Sequence, residues 1–287
     1  VQNAGTNAYN TAIGYQAGLA VSTGVQNTII GGTAGDALTT GGYNVAIGYK
    51  ALSREDTGTN NVAIGYYSLE SLDYSGNGYN VGVGSNTGAL LTDGIQNTLI
   101  GSNAGDALTT ASQNTALGYG ALGAETTGQY NTAIGYSSLS GQNAAADVYN
   151  TAIGWNTGNA MSTGANNTII GASAGSSLTT GSRNIAIGYT ALYSEDTTGR
   201  VVAIGYQALE NQNAAANTYN IAIGYRAGRD IVGGVYNTLI GSSSGGALTS
   251  GGYNIAIGHN ALQTEDAHGR NVAIGYAALE TQDAGAD

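Results

Sequence analysis

The feature that most constrains this chain is a five-residue unit, first seen as Asn10-Thr11-Ala12-Ile13-Gly14, that recurs sixteen times. Its closing glycines fall at Gly14, Gly31, Gly48, Gly65, Gly84, Gly101, Gly118 and Gly135, then at Gly154, Gly171, Gly188, Gly205, Gly224, Gly241, Gly258 and Gly275. The spacings run 17, 17, 17 and 19 residues and then repeat, so a 70-residue super-repeat of four unequal units organises the chain. Super-repeats occupy approximately 1–70, 71–140, 141–210 and 211–280, and 281–287 begins a further one, so a single continuous array over 1–287 is expected. Units of this size stack on one another instead of each enclosing a core, and chain length then sets no domain count.

Each place of the unit is chemically restricted. The first is Asn in fifteen copies, with Val201 the exception, and stacked amides can hydrogen-bond up a ladder of parallel coils. The second is always β-branched, the fourth is Ile except at Val83 and Leu117, and the fifth is always Gly. Short β-branched runs closed by glycine read as strands, because such side chains suit a pleated surface and glycine permits a corner. Helix is the rival for Ala51-Leu52 to Asp56 and Ala208-Leu209-Glu210, but a glycine in a helix interior costs ~1 kcal/mol, and here one recurs in every unit. The expected fold is all-β, a parallel β-solenoid (β-roll) of about 16 coils. Each coil is expected to hold two short strands of four or five residues, and stacking at ~4.8 Å gives a length on the order of 75 Å.

The second and fourth places point to one side of a strand and the third to the other. The pattern predicts that each unit's Ile lies inside the coil. The third place, Ala in eleven units, then faces a neighbouring chain, and replacing Ala46, Ala116, Ala186 and Ala256 with Arg is expected to disrupt assembly. In the second unit of each super-repeat the third place is large (Ile29, Leu99, Ile169, Leu239), while the residue after the glycine is small (Gly32, Ser102, Ala172, Ser242). The exchange suggests that these two positions fill a shared space.

Seventeen of twenty tyrosines stand either directly after the glycine or directly before the Asn. One reading is structural, stacked rings covering the coil edge with wet hydroxyls. The other is functional, an aromatic row that binds glycans or a partner surface.

Candidate chemistry is sparse. Glu55-Asp56, Glu125, Glu195-Asp196 and Glu265-Asp266 recur once per super-repeat and read as solvated turns, with a weak calcium site as the alternative. His259 and His268 have no counterparts in the other super-repeats, and Tyr189 and Tyr206 occupy the place of His259, which marks a packing position. Gly31-Gly32-Thr33-Ala34-Gly35 lacks the lysine of a phosphate loop and reads as turn chemistry. Thr39-Thr40, Thr109-Thr110 and Thr179-Thr180 do not continue through the other units as an ice-binding array requires. No catalytic, cofactor-binding or metal-binding residue is therefore assigned, no cofactor is implied, and the chain is not read as an enzyme. A net charge of −11 repels phosphate backbones and anionic membrane surfaces, so nucleic acid is not an expected partner. Absence of cysteine removes disulfides and thiolate sites, and no apolar run approaches the ~20 residues of a membrane span.

The motif Asn-(Thr/Val)-Ala-Ile-Gly-Tyr, as in Asn44 to Ala51 and Asn131 to Ser138, resembles the head repeats of YadA-like trimeric autotransporter adhesins. It is equally similar to repeats of bacteriophage tail-fibre and surface-appendage proteins. The resemblance covers all sixteen units; the 17-to-19-residue units and the super-period are longer than the family's. It implies left-handed parallel β-rolls that associate with their own kind, a trimer by analogy with a higher ring as the other closure. The expected function is a structural and attachment segment of an extracellular fibre or adhesin, a cell-surface appendage or virion tail fibre. Its partners are then copies of itself and host, prey or surface glycans, without membrane insertion. The rival expectation is a glycan-binding or polysaccharide-degrading module of a phage fibre. Residues 1–7 and 281–287 share the phase of 141–147, which leads to the expectation that the segment is an excerpt of a longer fibre.

Overall fold

The structure, a computed structural model, describes residues 7–282. The comparison of phase at the two chain ends therefore falls almost entirely outside the described residues. The chain is all-β, a parallel solenoid of about sixteen turns, and no helix occurs among the described residues. It divides into two compact units, Val1–Val148 and Tyr149–Asp287. The first holds strands from β1 (Thr11–Ile13) to β8 (Thr132–Ile134), and the second from β9 (Thr151–Ile153) to β16 (Val272–Ile274). Within each unit, consecutive strands pair parallel and in register, third place on third place, as in Ala46↔Ala63 and Ala186↔Ala203.

Each coil contains one strand of three residues, not two of four or five. The rest of the coil is turn, and its backbone is bent by residues in the left-handed region. In the third coil these are Lys50 (φ 54°), Leu52 (φ 54°) and Asn60 (φ 61°), and comparable triplets recur along the chain. A left-handed non-glycine residue costs roughly 1–2 kcal/mol, which breaks a long strand or helix but closes a small coil. Leu52 and Ala208-Leu209 therefore lie in turns and not in helices. The turns are still paired, because their amides donate to the next coil, as Leu52 does to the Ser68 carbonyl at 3.0 Å. Corner glycines are needed where coils meet. Gly48 has φ 131°, and a Cβ there would overlap the carbonyl oxygen of Gly65 in the coil above.

The two strand faces are the reverse of the sequence expectation. From β2 (Thr28–Ile30) onward the third place is buried, and Ala46, Ala63, Ala116, Ala186 and Ala256 have no exposed surface. The second and fourth places, including the Ile column, point outward and are half-buried or exposed. Hence each Ile does not lie inside, and the alanines face the coil's own core instead of a neighbouring chain. The reason is the small cross-section: where leucines enter the coil from the other sides, the interior beside the strand has room for a methyl group.

Counting from the corner glycine, the fourth residue is Gly in the first two coils of each super-repeat and Leu in the last two, as in Gly18, Gly35, Leu52 and Leu69. Large third-place residues occupy the space that the missing leucines leave. A Cβ on Gly18 would come within 3.0 Å of Ile29 Cδ1, and one on Gly105 within 3.0 Å of Leu99 Cδ2. The size exchange is therefore between the third place and this interior position, and not with the residue after the glycine, which stands outside. Leu52 and its equivalents up to Leu262 accept left-handed strain because complete burial of the side chain returns about 1.5–3 kcal/mol against a cost of about 1–2 kcal/mol.

The Asn column forms a ladder, but mostly from side chain to backbone. Asn44 Oδ1 accepts from the Asn61 amide N–H at 2.9 Å, and Asn44 Nδ2 donates to the Gly58 carbonyl in the next coil at 2.8 Å. Direct amide-to-amide bonds occur at a few steps, such as Asn97 Nδ2 to Asn80 Oδ1 at 3.2 Å.

Candidate interaction surface

The outward strand face carries no charge in any unit, since its two columns are Thr, Val or Ile and then Ile, Val or Leu. In the second unit Ile185, Ile221, Ile223 and Ile255 are each more than one-third exposed. Two further columns flank this face. Directly after most corner glycines stand exposed rings that stack along the coil axis, Tyr49 on Tyr66 at 5.6 Å and Tyr119 on Tyr136 at 5.4 Å in the first unit. In the second unit Tyr189, Tyr206 and Tyr225 form one continuous stack at 5.4 and 5.3 Å. Before the Asn, Tyr219, Tyr236 and Tyr253 stack at 5.1 and 5.0 Å, and the Arg200 guanidinium lies 5.3 Å from the Tyr219 ring centre and bonds its hydroxyl. The rings cover one another's faces, as the structural reading of the tyrosines requires. His259 stacks on Tyr276 at 5.4 Å, so it is a packing member of the same column.

The column after the glycine is interrupted in every super-repeat, at Gly32, Ser102, Ala172 and Ser242, and once more at Ser85. In the second unit the interruption coincides with clefts at matching positions of the third and fourth super-repeats. One, of about 520 Å³, is lined by Trp155, Asn156 and Asn159 of one coil, Ser173, Ser176 and Ser177 of the coil above, and Tyr193 of the coil beyond that. The other, of about 360 Å³, has Arg226 and Arg229 where the first has Asn156 and Asn159, and Asp230 where it has Ala160, with Gln263 at the place of Tyr193. Arg229 is tied to Asp230 at 2.7 Å, and Arg226 Nε donates to Gln207 Oε1 at 2.8 Å. Sequence reasoning missed these clefts. Their signal was the single tryptophan standing one coil below a small residue.

The acidic turns are not solvated as expected. Glu55, Glu125, Glu195 and Glu265 have no exposed surface, while Asp56 and Asp266 beside them are exposed. Each Glu occupies the seventh position after the corner glycine, which in other coils is a buried Leu38, Leu108 or Leu178. The cause is the two-residue insertion in the coil above. In an ordinary coil the turn amides donate to the next coil, as Ser22, Thr23 and Gly24 do to the Thr39 carbonyl at 2.9–3.2 Å. Below the 19-residue coil, the carboxylate supplies acceptors: Glu125 Oε1 takes the amides of Thr126, Thr127 and Gly128 at 2.9, 3.1 and 2.7 Å. Gln212 Nε2 donates to Glu195 Oε2 at 3.1 Å from the coil above. Burial raises the Glu55 carboxyl above its ordinary value, opposed by hydrogen bonds from Gly58 and Tyr74. Glu265, Asp266 and His268 bring three ligand atoms together, with His268 Nδ1 3.0 Å from Glu265 Oε1. Glu265 also accepts the His268 amide at 3.0 Å, the same turn-closing role as its equivalents.

The threonine pairs also act within the solenoid: Thr109 and Thr179 hydroxyls donate to the Thr126 and Asp196 carbonyls of the next coil at 3.0 and 2.8 Å. Gly31 and Gly35, with φ of 137° and 48°, serve as turn residues. No helix among the described residues is long and apolar enough to cross a membrane. No known protein family matches the chain, and no curated protein is similar to it in sequence.

Proposed function

We propose that this chain is a structural and attachment segment of an extracellular fibre or adhesin, a cell-surface appendage or virion tail fibre, that associates with copies of itself. Its role is mechanical: it provides reach and a repeating surface, without catalysis. The observation that carries this reading is the uncharged outer strand face. Eight coils at ~4.8 Å and a face roughly 10–13 Å wide give each unit an uncharged strip of about 400–500 Å², made of Ile, Val, Leu and Thr. A typical monomer's largest exposed patch is about 300–600 Å² and often functional, and here every unit repeats one, rimmed by tyrosines of the kind enriched at interfaces. A second copy offers the same uncharged surface, so neither partner has to bury an unpaired charge. Nearest-neighbour stacking adds length without changing the cross-section, which suits a spacer.

Sedimentation and electron microscopy of the purified chain test the proposal. Assembly into a defined homo-oligomer is expected. Ile221→Lys combined with Ile240→Lys, both at exposed positions, should leave the coils folded and yield monomers. A wild-type chain that stays a monodisperse monomer at high micromolar concentration would refute it.

A further inference from the structure

We infer that the cleft beside Trp155 is a binding subsite for neutral pyranose saccharides, an inference that rests on the attachment reading and names what is attached to. Trp155 is 55% exposed. Where the next coil of its column carries a ring, as above Tyr49, Tyr119 and Tyr206, the two stack at 5.3–5.6 Å and the upper ring covers the face below it. Above Trp155 stands Ala172, so no ring stacks on the indole from the next coil. An open indole face next to a cleft is an apolar platform of the size of one sugar ring, whose axial C–H groups pack on aromatic carbon.

The rest of the lining supplies hydrogen bonds in an uncharged form. The side chains of Asn156, Asn159, Ser173, Ser176, Ser177 and Tyr193 offer amide and hydroxyl groups, and no side-chain hydrogen bond engages any of them among the described residues. They are solvated and ready to exchange water for sugar hydroxyls, which are likewise both donor and acceptor. A volume of about 520 Å³ lies within the 300–1,000 Å³ of small-ligand sites. Neutrality decides the class. Acidic sugars need a cation, and none lines this cleft, whereas in the fourth super-repeat Arg226, Arg229 and Asp230 hold the matching positions and are already paired. The coil architecture thus presents the same recess twice with different chemistry: Tyr225, below Ser242, carries the Arg226 guanidinium 5.0 Å from its ring centre, whereas Trp155 has only unengaged neutral polar groups beside it.

Trp155 is the single tryptophan of the chain, so its fluorescence reports on this cleft alone. The experiment titrates the assembled chain with chitotriose, maltotriose, lactose and, as the acidic comparison, sialyllactose, following indole emission and confirming heat release by calorimetry. A saturable emission change with at least one neutral sugar is expected, with half-saturation at millimolar concentration or below. Asn159→Leu and Ser176→Tyr should each weaken binding at least tenfold while sedimentation stays unchanged, because neither residue is on the strand face. Absence of a saturable response to all neutral sugars overturns the inference, as does a response to sialyllactose alone or one indifferent to both substitutions. Any of these results leaves the assembly test standing, so failure of the subsite and failure of the fibre reading are separate outcomes.

Discussion

Replacing Asn114 with Ala tests whether the Asn column clasps one coil to the next. Asn114 is 1% exposed. Its Oδ1 accepts from the Asn131 amide at 2.9 Å, and its Nδ2 donates to the Gly128 carbonyl at 3.0 Å and the Ser112 carbonyl at 3.2 Å. Truncation removes two coil-to-coil bonds and leaves a buried amide and a buried carbonyl of the next coil without these partners. At about 1–3 kcal/mol for each orphaned group, the loss should be about 2–6 kcal/mol, several times the ~1 kcal/mol net worth of an ordinary hydrogen bond. In a stack of nearest-neighbour contacts the damage stays local. Urea unfolding followed by circular dichroism measures the total, and amide hydrogen exchange shows whether Asn131 and its neighbours lose protection. Val201 provides the reverse experiment, because it breaks the column naturally: its own amide still donates to Asn184 Oδ1 at 3.1 Å, but it offers no acceptor to the coil above. Val201→Asn should therefore stabilise the chain by up to about 1 kcal/mol. A cost below about 0.5 kcal/mol for Asn114→Ala, with unchanged exchange at Asn131, would refute the clasp.

Three further outcomes are expected. Leu52→Gly relieves left-handed strain worth about 1–2 kcal/mol but opens a cavity that costs about 2–5 kcal/mol, so calorimetry should record a net loss of up to about 4 kcal/mol and not a gain. Because burial raises the Glu55 carboxyl, the folded chain holds that proton more tightly than the unfolded one; the associated stability is full below the unfolded value and is lost as pH rises through the folded value. Urea midpoints across about pH 4–7 should fall with this sign, and Glu55→Gln should remove that part of the slope. Ala116→Arg, at a position with no exposed surface, should unfold its coil and its neighbours by circular dichroism and hydrogen exchange, in contrast to exposed Ile→Lys changes that dissociate copies of an intact solenoid.

Much of the architecture is written in the repeat itself. Sixteen glycine-closed, β-branched units can only be reconciled with stacked parallel coils, because the period fixes what lies above what: Thr28 meets Val45 in register since both hold the same place. The turn role of Gly31 and the packing role of His259 were legible for the same reason. What the repeat could not decide was direction across the coil. Alternation in a three-residue strand is symmetric between inside and outside, so Ala46 and Ile47 can be exchanged between faces without changing the pattern. Only closure of the seventeen-residue ring chose, because Leu38 and Leu52, entering from other sides, leave room for no more than a methyl group beside the strand. Charge misled in the same way. Glu125 looked solvated by composition, yet it shares its phase with Leu108, and the 19-residue coil above leaves its turn amides in need of an acceptor. Sequence period thus determines stacking, while the inside of each coil is set by volume and by which backbone groups remain unpaired, quantities that exist only once the ring has closed.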